Sequence, residues 1–313
     1  MKFGFLFPGQ GSQFVGMGKD IYYQHNEVRQ IYDIAEDIFD FSLKKISFEG
    51  PEDELRKTRT TQPAIFVNSI AIFRLLSDMN IHPHAVAGHS LGEYSALVAA
   101  GTLSFQEGLQ LVKLRSELMQ HSGEKYPGTM AAIIGLPAET VIAICKEASS
   151  FGLVGPANFN SPGQVVISGT VEGVRHAMNL AKDKKARTVT QLIVSGAFHS
   201  PLMKEALEEL TYALDETDFQ DPKIPVYANV TARHVSSGEE IRELLKKQLL
   251  SPVLWQNLIE NMIADGTEKF YEVGPSKVLS GLIRRIDRDV PCISVGNEPD
   301  LLSLELGEVN GKF

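Results

Sequence analysis

The stretch Ala85-Val86-Ala87-Gly88-His89-Ser90-Leu91-Gly92-Glu93-Tyr94-Ser95-Ala96-Leu97-Val98-Ala99-Ala100 reads as a short buried strand, a sharp turn and a helix, with a serine at the apex. Glycines two places either side of Ser90 let the backbone take a strained turn that pushes the hydroxyl out of the sheet. The helix that follows directs its N-terminal N–H groups at whatever the serine attacks. The chemistry this arrangement favours is nucleophilic acyl transfer through an ester on Ser90. On the motif alone a blander reading stays open, a glycine-flanked turn whose serine caps a helix.

Outward from this turn, strands alternate with helices. Residues 3–7 read as a buried strand, 8–18 as a glycine-rich loop and about 17–40 as helical. Thr61-Gln62-Pro63 starts a helix to about 79, with a capping threonine and proline in the first turn. Helices at about 91–100 and 104–121 follow the Ser90 turn. This alternation predicts an α/β layer structure with a parallel sheet. The rhythm changes near Pro127-Gly128. Strand 129–134, helix 137–146, strands near 152–157 and 164–168, helix 170–183 and strand 187–194 give the β-α-β-β-α-β order of a ferredoxin-like unit. Beyond it come helix 201–214, strand 226–228, helices near 238–249 and 255–264, strand 269–273, a helix from Ser276 and strand 292–295. The tail after Gly296 is polar and acidic and is expected to be loosely held. The division expected is a large subdomain from 1–126 and 196–313, carrying nucleophile and base, with a ferredoxin-like small subdomain, 127–195, inserted into it.

A chain of 313 residues, 43% apolar and 22% charged, has the composition of an ordinary globular protein. Its net charge of −9 gives no reason to expect nucleic-acid binding. Cys145 and Cys292 lie in apolar company and read as buried, reduced thiols. No Cys/His spacing resembles a metal site. The start, Met1-Lys2-Phe3-Gly4-Phe5-Leu6-Phe7, is too short an apolar run for a signal peptide, and no segment is long enough to cross a bilayer. A reducing cytoplasm is the expected compartment.

Three further features bear on chemistry. The loop Gly9-Gln10-Gly11-Ser12-Gln13-Phe14 fails as a dinucleotide fingerprint, because Phe14 stands where a third glycine is needed, and Gln13 and Asp20 fail a P-loop. It follows the first strand, where open α/β sheets place their crevices, so Gln10 presents either its amide or its backbone N–H there. Among eight histidines, His25, His82, His84, His121, His176 and His234 lie in polar settings and read as surface residues. His89 neighbours Ser90 on the turn, and its ring points away from the hydroxyl. His199 sits at a second strand-to-helix junction, before a helix capped by Ser200-Pro201, where a neutral imidazole can take the serine proton. Finally, Arg115 falls in the middle of an apolar stripe formed by Leu111, Val112, Leu114, Leu118 and Met119. A core-facing guanidinium must find an anion, either a protein acid such as Glu107 or a substrate carboxylate clamped bidentately.

Phe7-Pro8-Gly9-Gln10-Gly11-Ser12-Gln13, Thr61-Gln62-Pro63-Ala64, Gly88-His89-Ser90-Leu91-Gly92-Glu93, Gly196-Ala197-Phe198-His199-Ser200 and Glu272-Val273-Gly274-Pro275 occur in that order. With them the chain, from residue 3 to about 295, resembles the malonyl-CoA:acyl carrier protein transacylases of fatty acid synthesis, relatives of polyketide synthase acyltransferase domains. The resemblance implies a hydrolase-like large subdomain. It implies Ser90 as the acylated nucleophile and His199 as the base of a Ser-His dyad, with the imidazole oriented by the backbone carbonyl of Gln248. It makes the N–H groups of Gln10 and Leu91 an oxyanion hole and Arg115 the holder of the malonyl carboxylate. Asn158, Asn160 and Gln62 are implied to line the site. Phe198, and Leu91 after the serine, go with malonyl rather than branched acyl groups. Ser276 departs from the pattern, since relatives often have glycine there. The implied partners are malonyl-CoA and acyl carrier protein, with no resident cofactor or metal, no nucleic acid and no membrane, and the chain acting as a monomer. The basic groups Lys182, Lys184, Lys185, Arg187 and Arg284, Arg285, Arg288 are candidates for steering an acidic carrier protein, or are simply solvated.

Two rivals remain on the sequence. A serine esterase or thioesterase shares the turn but needs an acid between nucleophile and histidine, and Asp183, in a lysine-rich stretch, is the nearest one. A non-catalytic subunit that only docks onto a synthase leaves Ser90 and His199 without a role.

Overall fold

The computed structural model describes residues 2–309. Ten strands form two sheets: β1 (Phe3–Phe7), β2 (Ala85–Gly88), β3 (Gly128–Ile134), β4 (Val154–Ser161), β5 (Gln164–Thr170), β6 (Thr188–Gln191), β7 (Val226–Tyr227), β8 (His234–Val235), β9 (Lys269–Val273) and β10 (Cys292–Val295). The first sheet has the order β10-β9-β1-β2-β7-β8. Its pairings are parallel except for the edge strand β8 against β7. β1 and β2 lie side by side at its centre, in register Phe7 to Gly88, so the loops leaving them emerge together. Both faces are covered, as near-continuous apolar strands require. Phe5, Phe7 and Val86 face one core with the helices Thr58–Asp78 and Phe105–Lys125; Leu6, Ala85 and Ala87 face a second with Trp255–Ala264 and Val278–Ile286.

The second sheet, β4-β5-β3-β6, is antiparallel throughout, and its strands connect as β-α-β-β-α-β through helices Ala138–Ala148 and Val171–Asp183. This is the ferredoxin-like order predicted. Period-two alternation divides its faces. Ala131, Ile133, Val165 and Ile167 pack under the two helices, whereas Met130 and Val166 face the first sheet's core. A backbone bridge ties the units: Phe159 N–H donates to Val253 O and Val253 N–H to Ala157 O, both at 2.9 Å.

Five expectations need correction. The helix placed at Thr61 begins at Thr58, so Thr61 is no cap and Pro63 lies inside it. The carbonyl that Pro63 cannot serve, that of Arg59, accepts from Ser116 Oγ instead. The strand expected over 187–194 ends at Gln191; Leu192 N–H still donates to Met130 O (2.9 Å), and Leu192 and Val194 line the cleft between the sheets. The tail after Gly296 is not loose but forms the helix Glu298–Val309, with Leu301 and Leu304 buried and Glu298 Oε2 2.7 Å from His25 Nε2. His25 is thus half-buried and paired, and His176, also half-buried, stacks on Phe151; His82, His84, His121 and His234 are exposed. Cys145 is buried, and Cys292, expected to be so, is only partly covered; both are free thiols.

Candidate active site

Ser90 sits at φ 51°, the left-handed backbone the sharp turn requires. The neighbouring glycines are obligatory on steric grounds. A Cβ on Gly88 would lie 1.8 Å from Gly92 C, and one on Gly92 2.0 Å from Phe7 O. A Cβ on Gly9 would lie 2.3 Å from His89 O, so the loop after β1 packs directly on the turn. Asn229, just past β7, locks the arrangement: its Oδ1 accepts from Ser90 N–H (2.7 Å) and its Nδ2 donates to Gly88 O (2.7 Å). Sequence reasoning missed Asn229. Its position after a strand at the same sheet edge was the available signal.

His199 also has positive φ (56°), on a loop that ends in the Ser200 cap of a single 3-10 turn, Pro201–Met203. Gly123 and Gly196 let that loop press against the helix carrying Arg115, with a Cβ on Gly123 falling 2.1 Å from Ser195 O. The result is contact between the candidate nucleophile and the candidate base: Ser90 Oγ lies 2.8 Å from His199 Nε2. On the other side of the ring, Nδ1 lies 3.0 Å from Gln248 O and 3.1 Å from Ser251 O. Two carbonyls accept only from an N–H, so Nδ1 carries the proton and Nε2 is free to take one. Ser251 was not foreseen in this role. Among the described residues no carboxylate touches the ring, and Asp183 is exposed. Burial, reinforced by the charge of Arg115, pushes His199 down to about 3, so the imidazole is neutral.

Arg115 is 1% exposed. Its Nη1 donates to Gln62 Oε1 (2.5 Å), its Nη2 to Ser90 Oγ (3.1 Å) and Gln248 Oε1 (3.1 Å), and its Nε has no partner. The guanidinium lies over the Tyr94 ring, 5.6 Å from its centroid. The salt-bridge alternative fails: Glu107 is taken up in a capping box with Ser104, and among the described residues no acid accepts from Arg115. Gln248 is a hub. Its Nε2 donates to Ser90 O (2.9 Å) and to Glu93 Oε2 (2.6 Å) while its backbone carbonyl faces His199. Burial raises Glu93 to about 7, against the pull of Gln248, Asn229 and Arg115.

A cleft of ≈ 100 Å³ opens beside Ser90, lined by Gln10, Gln62, Leu91, Asn158, Phe198 and His199, and by the unforeseen Met119, Met130, Leu192 and Val194. The Gln10 side chain is tied to Thr58 Oγ1 at 3.3 Å, which leaves its backbone N–H for the cleft. Neither that N–H nor the Leu91 N–H donates to a protein acceptor among the described residues. Asn160 stands back from the cleft wall, its Oδ1 2.9 Å from His89 Nε2. His89 is packed against Trp255, its ring hydrogen-bonded to Asn160, and also lines the cleft. Ser276, the departure noted above, holds φ 71°, a conformation that glycine adopts without strain.

Fold and site together fit the class of α/β acyl-transfer proteins: a serine on a strand-to-helix turn, a neutral histidine in contact with it and a buried cation beside them. A family profile described as the acyl transferase domain matches residues 4–297. The chain belongs to that family and, within it, to the malonyl CoA-acyl carrier protein transacylases. It is 44% identical over 306 residues to the malonyl CoA-acyl carrier protein transacylase of Bacillus subtilis, covering 97% of this chain and 96% of that one. An acyl carrier protein S-malonyltransferase structure from Vibrio cholerae superimposes with TM-score 0.92 at 41% identity, covering 97% of this chain and 100% of that one. A malonyl-transacylase solved in complex with its type II polyketide acyl-carrier protein superimposes with TM-score 0.93 at 40% identity, covering 97% and 98%.

Proposed function

We propose that the chain transfers the malonyl group of malonyl-CoA to the phosphopantetheine thiol of acyl carrier protein through a malonyl ester on Ser90, supplying malonyl units for fatty acid chain elongation. The observation that carries the reading is Arg115: a guanidinium at the nucleophile, out of water, with no protein acid in contact and a free Nε. A malonyl carboxylate pairs with it directly, whereas an acetyl group offers it no carboxylate, worth about 10²–10³-fold in preference.

The steps follow from the hydrogen bonds. His199 Nε2 takes the Ser90 proton as Oγ attacks the thioester carbon, and the Gln248 and Ser251 carbonyls hold the imidazolium that forms. The carbonyl oxygen, now an anion, rests on the Gln10 and Leu91 N–H groups, each worth about 2.7–4 kcal/mol. Collapse expels the coenzyme A thiolate, which takes the proton back from His199. The carrier thiol then gives its proton to His199 and attacks the ester; Ser90 leaves and is reprotonated. Phe198 beside the cleft crowds a branched α-carbon, and Asn158 and Gln62 complete the walls. The substrates bring the thiol carriers, so the reading assigns no resident cofactor or metal. Among the described residues no helix is long and apolar enough to cross a membrane, and we place the reaction in the cytoplasm, carried out by a monomer. The solved complex with a polyketide carrier favours a second acceptor class, to be compared directly in transfer assays.

The test is intact-protein mass after mixing with malonyl-, methylmalonyl- and acetyl-CoA in competition. A malonyl adduct should dominate, vanish in Ser90→Ala and discharge onto carrier protein faster than onto water. Arg115→Ala should lower malonylation far more than acetylation. Equal loss for both acyl groups, or hydrolysis outpacing transfer, defeats the reading.

A further inference from the structure

Arg115 is a buried cation whose hydrogen bonds all go to neutral groups, the amide oxygens of Gln62 and Gln248 and the hydroxyl of Ser90. A charge held out of water needs an opposite charge nearby. The carboxylate that acts on it is Glu93, 3% exposed on the helix Gly92–Ala99. Glu93 does not touch the guanidinium. Its Oε2 accepts from Gln248 Nε2, and the oxygen of that same amide accepts from Arg115 Nη2. One amide group separates acid from base. The second hydrogen on Gln248 Nε2 is spent on Ser90 O, so the amide cannot turn over without setting two carbonyl oxygens face to face.

We propose that Glu93 is the resident counter-charge of Arg115, held one amide away by Gln248, so that it balances the guanidinium in the free enzyme yet leaves open the face that takes the acyl carboxylate. The inference rests on the reading that Arg115 binds the malonyl carboxylate. An acid in direct bidentate contact would saturate Arg115 and compete with substrate; no acid at all would leave a bare buried charge. The intermediate arrangement has a consequence. Once a malonyl carboxylate docks, two anions share one cation, and each weakens the hold of the other. Ionised Glu93 therefore opposes malonyl binding and is indifferent to acetyl. From the elements packed around it, the helix Phe105–Lys125 presents Arg115, the helix Gly238–Gln248 presents the neutral Gln248 amide, and Asn229 presents its backbone N–H. Tyr94, next on its own helix, is raised to about 12 by burial and stays neutral. Glu93, raised to about 7, can shed its charge when the second anion arrives.

The experiment is equilibrium binding of malonyl-CoA and acetyl-CoA from pH 6 to 8.5, in a Ser90→Ala background that cannot be acylated. The preference for malonyl over acetyl should fall about tenfold as pH rises, from a charge–charge interaction of ordinary size at partly screened separation. Adding Glu93→Gln, which keeps shape and acceptor but no charge, should hold the preference at its low-pH value throughout. A preference that does not change with pH, or a variant that tracks its parent, overturns the proposal; if Glu93→Gln fails to fold, the parent profile alone decides. Arg115→Ala separates the two levels. If it keeps the malonyl preference, the site reading itself is wrong; if the preference is lost but Glu93 is silent, only the counter-charge role falls.

Discussion

The Ser90 hydroxyl has two neighbours with different demands: His199 Nε2 stands placed to accept its proton, and Arg115 donates to its oxygen. Both are buried, and burial sets the pH behaviour. The usual imidazole value is about 6.5, and His199 is pushed down to about 3. The ring is therefore a competent base at any pH well above that. Single-turnover acylation at saturating malonyl-CoA should show no acid limb near pH 6.5, and an inflection there in rapid-quench data would mean a solvated ring. The same shift bears on stability. Below about 6.5 the unfolded chain binds a proton that the native chain refuses, so this contribution is complete above 6.5 and is lost as pH falls toward 3. His199→Ala should flatten that acid-side loss in urea titrations while slowing acylation by about 10²–10⁴-fold. At this scale the sequence was informative. Ser90, His199 and Arg115 each betrayed themselves by standing in a context that makes no sense for a bystander: a serine at an apex, a histidine before a capped helix, a cation inside an apolar stripe. Asn229, Glu93 and Ser251 carried no such mark, because an amide, an acid or a backbone carbonyl becomes functional only through what it faces.

The turn around Ser90 is an element that exists by the exclusion of side chains and by one amide. Asn229, itself fully buried, satisfies both the Ser90 N–H and the Gly88 carbonyl. Asn229→Ala should cost about 2–4 kcal/mol, since two buried polar groups are left unpaired, and should lower the acylation rate; Asn229→Asp, which can accept but not donate, should fall between. Urea midpoints and single-turnover rates check both, and an alanine variant with normal rate and stability would show that the glycines suffice. The helix Thr58–Asp78 shows why element boundaries were harder to read. Proline normally marks a first turn, but here a hydroxyl from the neighbouring helix, Ser116, shared with Lys113 O, reaches the carbonyl that Pro63 orphans, and the helix begins three residues earlier, at Thr58. The C-terminal helix was missed for a related reason. Its sequence is acidic and weakly amphipathic, and what holds it is the burial of Leu301 and Leu304 with the contacts of Glu298 to His25 and to the Asp20 carboxylate, partners far away in the chain.

Across the whole molecule, the cleft belongs to neither sheet alone. Ser90, Gln10 and Leu91 come from loops at the ends of β1 and β2, Met130 and Asn158 from the antiparallel sheet, and Leu192 to His199 from the segment returning between them. Met130, Ala157 and Val166 of the antiparallel sheet join the same apolar cluster as Phe5 and Phe7. With that shared core, calorimetry should give a single unfolding transition, with calorimetric and van't Hoff enthalpies equal, and free malonate should raise its midpoint. Two separable transitions would show that the antiparallel unit folds independently. From the chain by itself came the α/β layering, the ferredoxin-like connectivity and the candidates Ser90, His199 and Arg115 that the structure brings into contact, because hydrophobic period, glycine placement and capping residues act over a few neighbours and leave a local trace. Only the tertiary structure decided that Arg115 meets no acid, that Gln248 stands between it and Glu93, and that two carbonyls hold His199 in one tautomer. Those facts depend on contacts between elements from about fifty to more than a hundred and fifty residues apart, and no spacing along the chain encodes them.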